Sequence, residues 1–110
     1  MQAGEWVRLK LDVAFPLLHG VNGEDGSVQG LLQLVGLPYV GNGVLASALA
    51  MDKVLAKAVF RDADIPVADS QVVTAQQWIN DPESALERLS GFGPYPLFVK
   101  PSRSGSSVGV

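Results

Sequence analysis

Asp12-Val-Ala-Phe-Pro-Leu-Leu-His-Gly-Val-Asn-Gly-Glu-Asp-Gly-Ser27 is the stretch on which the fold reading turns. Asp12 to Leu18 is a short apolar run, the pattern of a buried parallel strand. His19 closes it, and Gly20 to Gly26 forms a glycine-rich turn. Ser27 can cap a helix running to about Val35, with Gly36 as its stop and Pro38 beyond. A strand that runs through a tight loop into a helix is the building unit of α/β proteins. Ligands of such proteins bind at the strand end, against the helix N-terminus.

The same alternation continues outward. Tyr39 to Gly41 is a brief extended piece. Leu45, Ala48, Leu49, Ala56, Val59 and Phe60 recur at helical spacing and predict one long helix over Val44 to Ala63, ended by Pro66. Ser70 to Val73 reads as a strand. Thr74 caps a further helix that Pro82 splits in two, and Ala85, Leu86 and Leu89 give its second part an apolar face. Gly91 to Pro96 is a turn-rich link, Leu97 to Val99 another strand, and Pro101 to Ser107 a loop of small residues. Ser107 to Val110 reads as the start of one more strand. The fold class is therefore α/β (α+β), with a boundary near Val40 to Val44. No internal repeat is visible. The chain opens almost directly on a strand and stops on one, which reads as part of a longer protein.

Composition narrows the function classes. At 110 residues the chain is at most one ordinary domain, and 47% hydrophobic with 17% charged residues is a globular balance. A net charge of -3 with scattered Lys and Arg argues against a nucleic-acid protein. Without cysteines there is no disulfide scaffold and no thiolate metal site. Met1 to Leu11 carries Glu5, Arg8 and Lys10 and no apolar leader core. No run approaches the roughly 20 apolar residues of a membrane helix.

Three segments can carry chemistry. In the first, the N–H groups of the Ser27 helix and the ring of His19 could hold a carboxylate, with Glu24 and Asp25 inside the loop. The bland alternative is a tight turn whose acids favour the helix dipole. In the second, Asp52 falls near the centre of the long helix's apolar stripe and Lys53 at its edge. An acid there is costly unless paired, so it marks either a buried ion pair or a helix facing a polar cleft into which Lys53 reaches. In the third, a strand delivers Lys100 to the Ser-Arg-Ser-Gly-Ser-Ser loop ending at Ser107. Small residues let backbone N–H groups approach phosphate oxygens, and the lysine adds a point charge. A flexible hairpin turn is the alternative. The P-loop pattern is absent.

Together these segments resemble the D-alanine–D-alanine ligase family. His19 to Gly30 is similar to its N-terminal signature, Pro38 to Lys53 to the segment that follows, and Tyr95 to Val110 to its nucleotide strand and serine loop. The match is weakest over Gln71 to Gly93. The resemblance implies an ATP-grasp enzyme. Residues 1–43 would be the end of a Rossmann-like, pre-ATP-grasp N-terminal domain. Residues 44–110 would be the central segment and start of the nucleotide-binding domain. It implies that ATP phosphorylates the carboxyl of one D-alanine and that the amine of a second displaces phosphate, for peptidoglycan precursor synthesis in a bacterial cytoplasm. His19 would contact the first D-alanine, with Glu24 supporting its loop. Lys53, Lys100 and Ser107 would hold ATP phosphates. Ser106 would join the substrate-side network, making Lys100 and Ser106 the catalytic candidates. The Mg²⁺ ligands would lie outside this chain, so no metal residue is named, and no turnover is expected from these residues alone. The expected partners are D-alanine and ATP, with neither nucleic acid nor membrane, in a homodimeric parent. Two alternatives stay open: a vancomycin-resistance-type relative joining D-alanine to D-lactate or D-serine, and a non-catalytic anion-binding module.

Overall fold

The computed structural model describes residues 8–110. The reading of Met1 to Leu11 falls for the most part outside them. Five helices are present among these residues: α1 (Ser27–Leu34), α2 (Val44–Met51), α3 (Lys53–Asp62), α4 (Ala75–Asn80) and α5 (Pro82–Ser90).

Helix α1 ends as its sequence predicts. Gly36 sits at φ 68°, its N–H donates to Gln33 O, and Leu37 N–H donates to Leu32 O. That pair of bonds closes the last turn and needs a left-handed residue at Gly36. At the other end the cap differs from expectation. Gly26, at φ 95°, holds the cap position, and Ser27 is the first helical residue. The Asp25 carboxylate takes the capping work, accepting from Ser27 N–H at 3.0 Å and Asn22 N–H at 2.8 Å. A Cβ on Gly26 would lie 2.8 Å from Val44 O, so the missing side chain lets the α1 turn press against the start of α2.

The long helix expected over Val44 to Ala63 is broken. Asp52 leaves helical geometry at φ -89°, ψ 105° and becomes the cap of α3 through bonds from Val54 N–H and Leu55 N–H. The end near Pro66 is as read, closed by a left-handed Asp64 and the bond from Ile65 N–H to Phe60 O. Thr74 and Gln77 form a reciprocal capping box at α4, and Pro82 starts α5 at its first turn, as expected.

The strands are the larger correction. Among the described residues the only β-pairing is one parallel bridge, in which Ala14 N–H donates to Pro38 O and Val40 N–H to Ala14 O. Asp12 to Leu18 is otherwise unpaired, and Ser70 to Val73 and Leu97 to Val99 form no ladder. Ser107 to Val110 is turn rather than strand. A strand exists only against a partner, and no second strand lies beside these segments here. The α/β sheet is therefore present only as its first contact. Ala56 and Ala85 are the buried apolar residues, whereas Phe15, Leu17, Phe98 and Val99 stand two-thirds or more exposed. The Cα radius of gyration is 19.7 Å, against about 13 Å for a compact domain of this length.

Candidate active-site cleft

Three loops from distant parts of the sequence meet in one place. The first is the turn after His19. Gly23 and Glu24 N–H groups both donate to Gly20 O, and Glu24 Oε2 accepts from Gly20 N–H at 2.6 Å. The acid thus ties its own loop shut. The backbone of Asn22, then Ser27, holds the Asp25 carboxyl below the usual carboxylate range.

The second is the α2–α3 break, and the third is the serine loop that packs on it. Asp52 is 6% exposed, an acid taken out of water. Its Oδ1 accepts from Ser102 Oγ at 2.7 Å, and its Oδ2 accepts from Arg103 Nε at 2.8 Å. Arg103, then Ser102, keeps the Asp52 carboxyl far below the usual carboxylate range. The neighbouring lysine completes the junction. Lys53 N–H donates to Ser102 O at 3.0 Å, and Lys53 Nζ to Ser104 O at 2.6 Å. The ion-pair reading of Asp52 therefore holds, although the helix around it does not run through. One partner is buried and the other is not, since the Arg103 side chain is 80% exposed.

Beyond Ser104 the loop turns back on the His19 side. A Cβ on Gly105 would meet Glu24 Oε2 at 3.2 Å and Gly20 Cα at 3.4 Å. Ser106 and Ser107 adopt left-handed φ values of 50° and 58°. Such a turn directs successive backbone N–H groups to one side, the concavity that receives anions.

The space between the loops is a cleft of about 530 Å³. Glu24, Lys53, Lys100, Ser106 and Ser107 all line it. Five candidate residues from three separate segments thus share one wall. His19 does not line the cleft; it is exposed at the rim, beside the lining residue Leu18. Lys100 has its ammonium 5.8 Å from the Phe98 ring centroid and makes no salt bridge among the described residues. Lys53 is already engaged with Ser104. The arrangement presents two cations, two hydroxyls and a left-handed turn to one volume, which suits a phosphate group. No three His, Cys, Asp or Glu side chains gather into a metal-holding group among the described residues. No helix among them is long and apolar enough to cross a membrane.

Sequence reasoning named the loop from Lys100 to Ser107 but not the bonds by which Ser102 and Arg103 fasten it to Asp52. The one signal for them was the misplaced acid at Asp52, which required a partner without saying where it lay.

Comparison with known proteins is consistent with this geometry. The family model described as D-ala D-ala ligase N-terminus matches residues 2–42, and that described as D-ala D-ala ligase C-terminus matches residues 59–110. A D-alanine--D-alanine ligase of Acetivibrio thermocellus is 54% identical over 101 residues, covering 92% of this chain and 27% of that protein. One of Streptomyces griseus is 52% identical over 104 residues, covering 92% and 27%. The chain thus spans about a quarter of the length of the curated relatives it matches. Among solved structures, the VanG D-Ala:D-Ser ligase of Enterococcus faecalis superposes at a TM-score of 0.75 with 42% identity, over 94% of this chain and 29% of that one. The D-alanine-D-alanine ligase of Coxiella burnetii gives 0.67 and 43%, over 76% and 24%. With two family models that leave out only residues 1 and 43–58, and relatives matched over about nine-tenths of its length, the chain belongs to the D-alanine–D-alanine ligase family.

Proposed function

We propose that this chain is part of an ATP-dependent D-alanine–D-alanine ligase, carrying the end of its N-terminal substrate domain (1–43) and the opening of its ATP-grasp nucleotide domain (44–110). The observation that carries the proposal is the shared cleft wall of Glu24, Lys53, Lys100, Ser106 and Ser107. Phosphoryl transfer to a carboxylate needs clustered cations and aligned donors more than it needs a nucleophile from the protein.

In this reading Lys100 and Lys53 neutralise phosphate oxygens, and Ser107 donates to one of them. Lys53 must then leave or share the Ser104 carbonyl. Ser106 donates into the amino-acid side of the cleft, Glu24 holds the adjacent turn, and His19 orients the carboxylate of the first D-alanine from the rim. ATP supplies the phosphoryl group that activates that carboxyl, and the amine of the second D-alanine displaces it as phosphate. The gain from this chain's residues is positioning and charge stabilisation. Mg²⁺ ligation would fall to residues outside the described ones. We place the full-length protein in the bacterial cytoplasm as a homodimer acting in peptidoglycan precursor synthesis. The likeness to the VanG D-Ala:D-Ser ligase favours one second reading, a ligase whose second substrate is D-serine.

The test is phosphate release by the full-length protein with ATP and D-alanine, with D-serine and D-lactate offered as second substrates. Release that needs ATP and D-alanine is the expected result. His19→Ala should raise the KM for the first D-alanine more than that for ATP. A change confined to the ATP constant would remove His19 from the amino-acid side.

A further inference from the structure

The cleft's lining residues do not hold themselves in place. Ser106 and Ser107 lie on an exposed loop in left-handed conformations, and neither side chain makes a hydrogen bond among those found in the structure. The side-chain anchors of that loop lie upstream, at Ser102, Arg103 and Ser104, and all of them are on two consecutive residues of the α2–α3 break. Asp52 takes Ser102 Oγ and Arg103 Nε on different oxygens, at 2.7 and 2.8 Å. Lys53 takes two carbonyls, Ser102 O through its backbone and Ser104 O through its ammonium. Lys53 will be drawn toward phosphate when the cleft is filled. Asp52 will not: it is almost fully buried, and it is absent from the cleft wall.

We propose that Asp52 is a positioning residue, which fixes the serine loop against the helix break through its two carboxylate oxygens so that Ser106, Ser107 and Lys100 face the cleft. The inference rests on the ligase reading for its kinetic consequence, but the physical clamp can be judged without it. Two features separate this role from simple helix capping. The capping bonds from Val54 and Leu55 use Oδ1 alone, whereas Arg103 uses Oδ2. And Arg103 is largely solvent-exposed, so its replacement creates no cavity.

The experiment compares wild type, Asp52→Asn, Arg103→Gln and the double variant in the full-length protein. Asparagine keeps an oxygen for Val54, Leu55 and Ser102 but sets an amide against Arg103 in place of a charged oxygen. Amide hydrogen exchange should rise by about tenfold or more across residues 102–108 in each variant, with 53–62 within about twofold of wild type. Steady-state kinetics should show kcat falling and the KM for ATP rising, with the KM for the first D-alanine little changed. The double variant should be no worse than the poorer single one, because both remove one contact. Unchanged exchange at 102–108 in both single variants overturns the clamp. Looser loops with wild-type kcat and KM overturn the positioning role. If Asp52→Asn fails to fold, Arg103→Gln decides both points alone. A wild-type protein with no ATP- and D-alanine-dependent phosphate release refutes the ligase reading instead, and the exchange data still judge the clamp.

Discussion

The α2–α3 junction at Asp52 and the α4–α5 junction at Asp81 use the same local device. In each, one aspartate leaves helical geometry, ends one helix and caps the next with its carboxylate. Asp81 Oδ1 accepts from Ser84 N–H at 3.0 Å, Pro82 supplies the first turn, and the exposed Asp81 side chain makes no hydrogen bond to another segment among the described residues. Asp52 does the same for Val54 and Leu55, and then spends its remaining capacity on Ser102 and Arg103, some fifty residues on. One break only punctuates the chain. The other is also a joint that ties the serine loop to the helices. Capping geometry alone does not separate the two; burial and the second set of partners do.

The comparison can be broken at the cleft first. Lys100 opens the serine loop and stands in the same wall as Lys53. Lys100→Ala in the full-length protein should lose about 2–4 kcal/mol of transition-state stabilisation, roughly a 30- to 1,000-fold fall in kcat/KM. A loss within about twofold, roughly 0.4 kcal/mol, would return the serine loop to an ordinary turn and erase the contrast between the junctions.

The pH dependence of the two junctions comes next. Arg103 and Ser102 lower the folded-state pKa of Asp52 below its unfolded value of 3.8. Its contribution to stability is therefore fully present above that unfolded value and is lost as pH falls through the folded one. Thermal melts of wild type and Asp52→Asn should differ near neutrality and converge as the pH drops below about 4. A constant gap down to pH 2 would mean that the carboxylate's charge plays no part in the joint.

The smallest effect is expected at the second junction. Asp81→Ala removes a cap and should cost about 1 kcal/mol of stability, read from denaturant melts, with kcat and both KM values within about twofold of wild type. A kinetic defect at Asp81 as large as at Asp52 would show that the two breaks do not differ in kind.

The two junctions also mark what the sequence made legible. Pro82 announces its own break, because a proline ring cannot continue a helix and fits its first turn. The Thr74 cap, the Gly36 stop and the end before Pro66 were readable for similar local reasons. Nothing local announces the break at Asp52. The run from Val44 to Phe60 is rich in good helix formers, and the partners that draw Asp52 out of line arrive at Ser102 and Arg103. The strands failed for a related reason. An apolar run predicts burial, but a ladder needs a neighbour, and among the described residues only Ala14 and Tyr39 provide one. Lys53 and Lys100 stood out by their place in the sequence, and both were expected to face one cleft, which they do. Ser106 and Ser107 came from the family resemblance, and their place in the same wall came from the fold.

Gly105 lets the two sides of the cleft close on each other, with Glu24 and Gly20 within van der Waals reach of where a side chain would start. Two positions upstream, Arg103 is fastened to Asp52. The stretch between these fixed points works as a ruler. One residue added or removed there shifts everything downstream by up to about 3.5 Å, more than the length of a hydrogen bond. Only the carbonyl of Ser104 is used among the described residues, so its side chain is free to change where the residue count is not. In any library built on this segment, length variation between 103 and 105 should be purged, while the identity of residue 104 drifts.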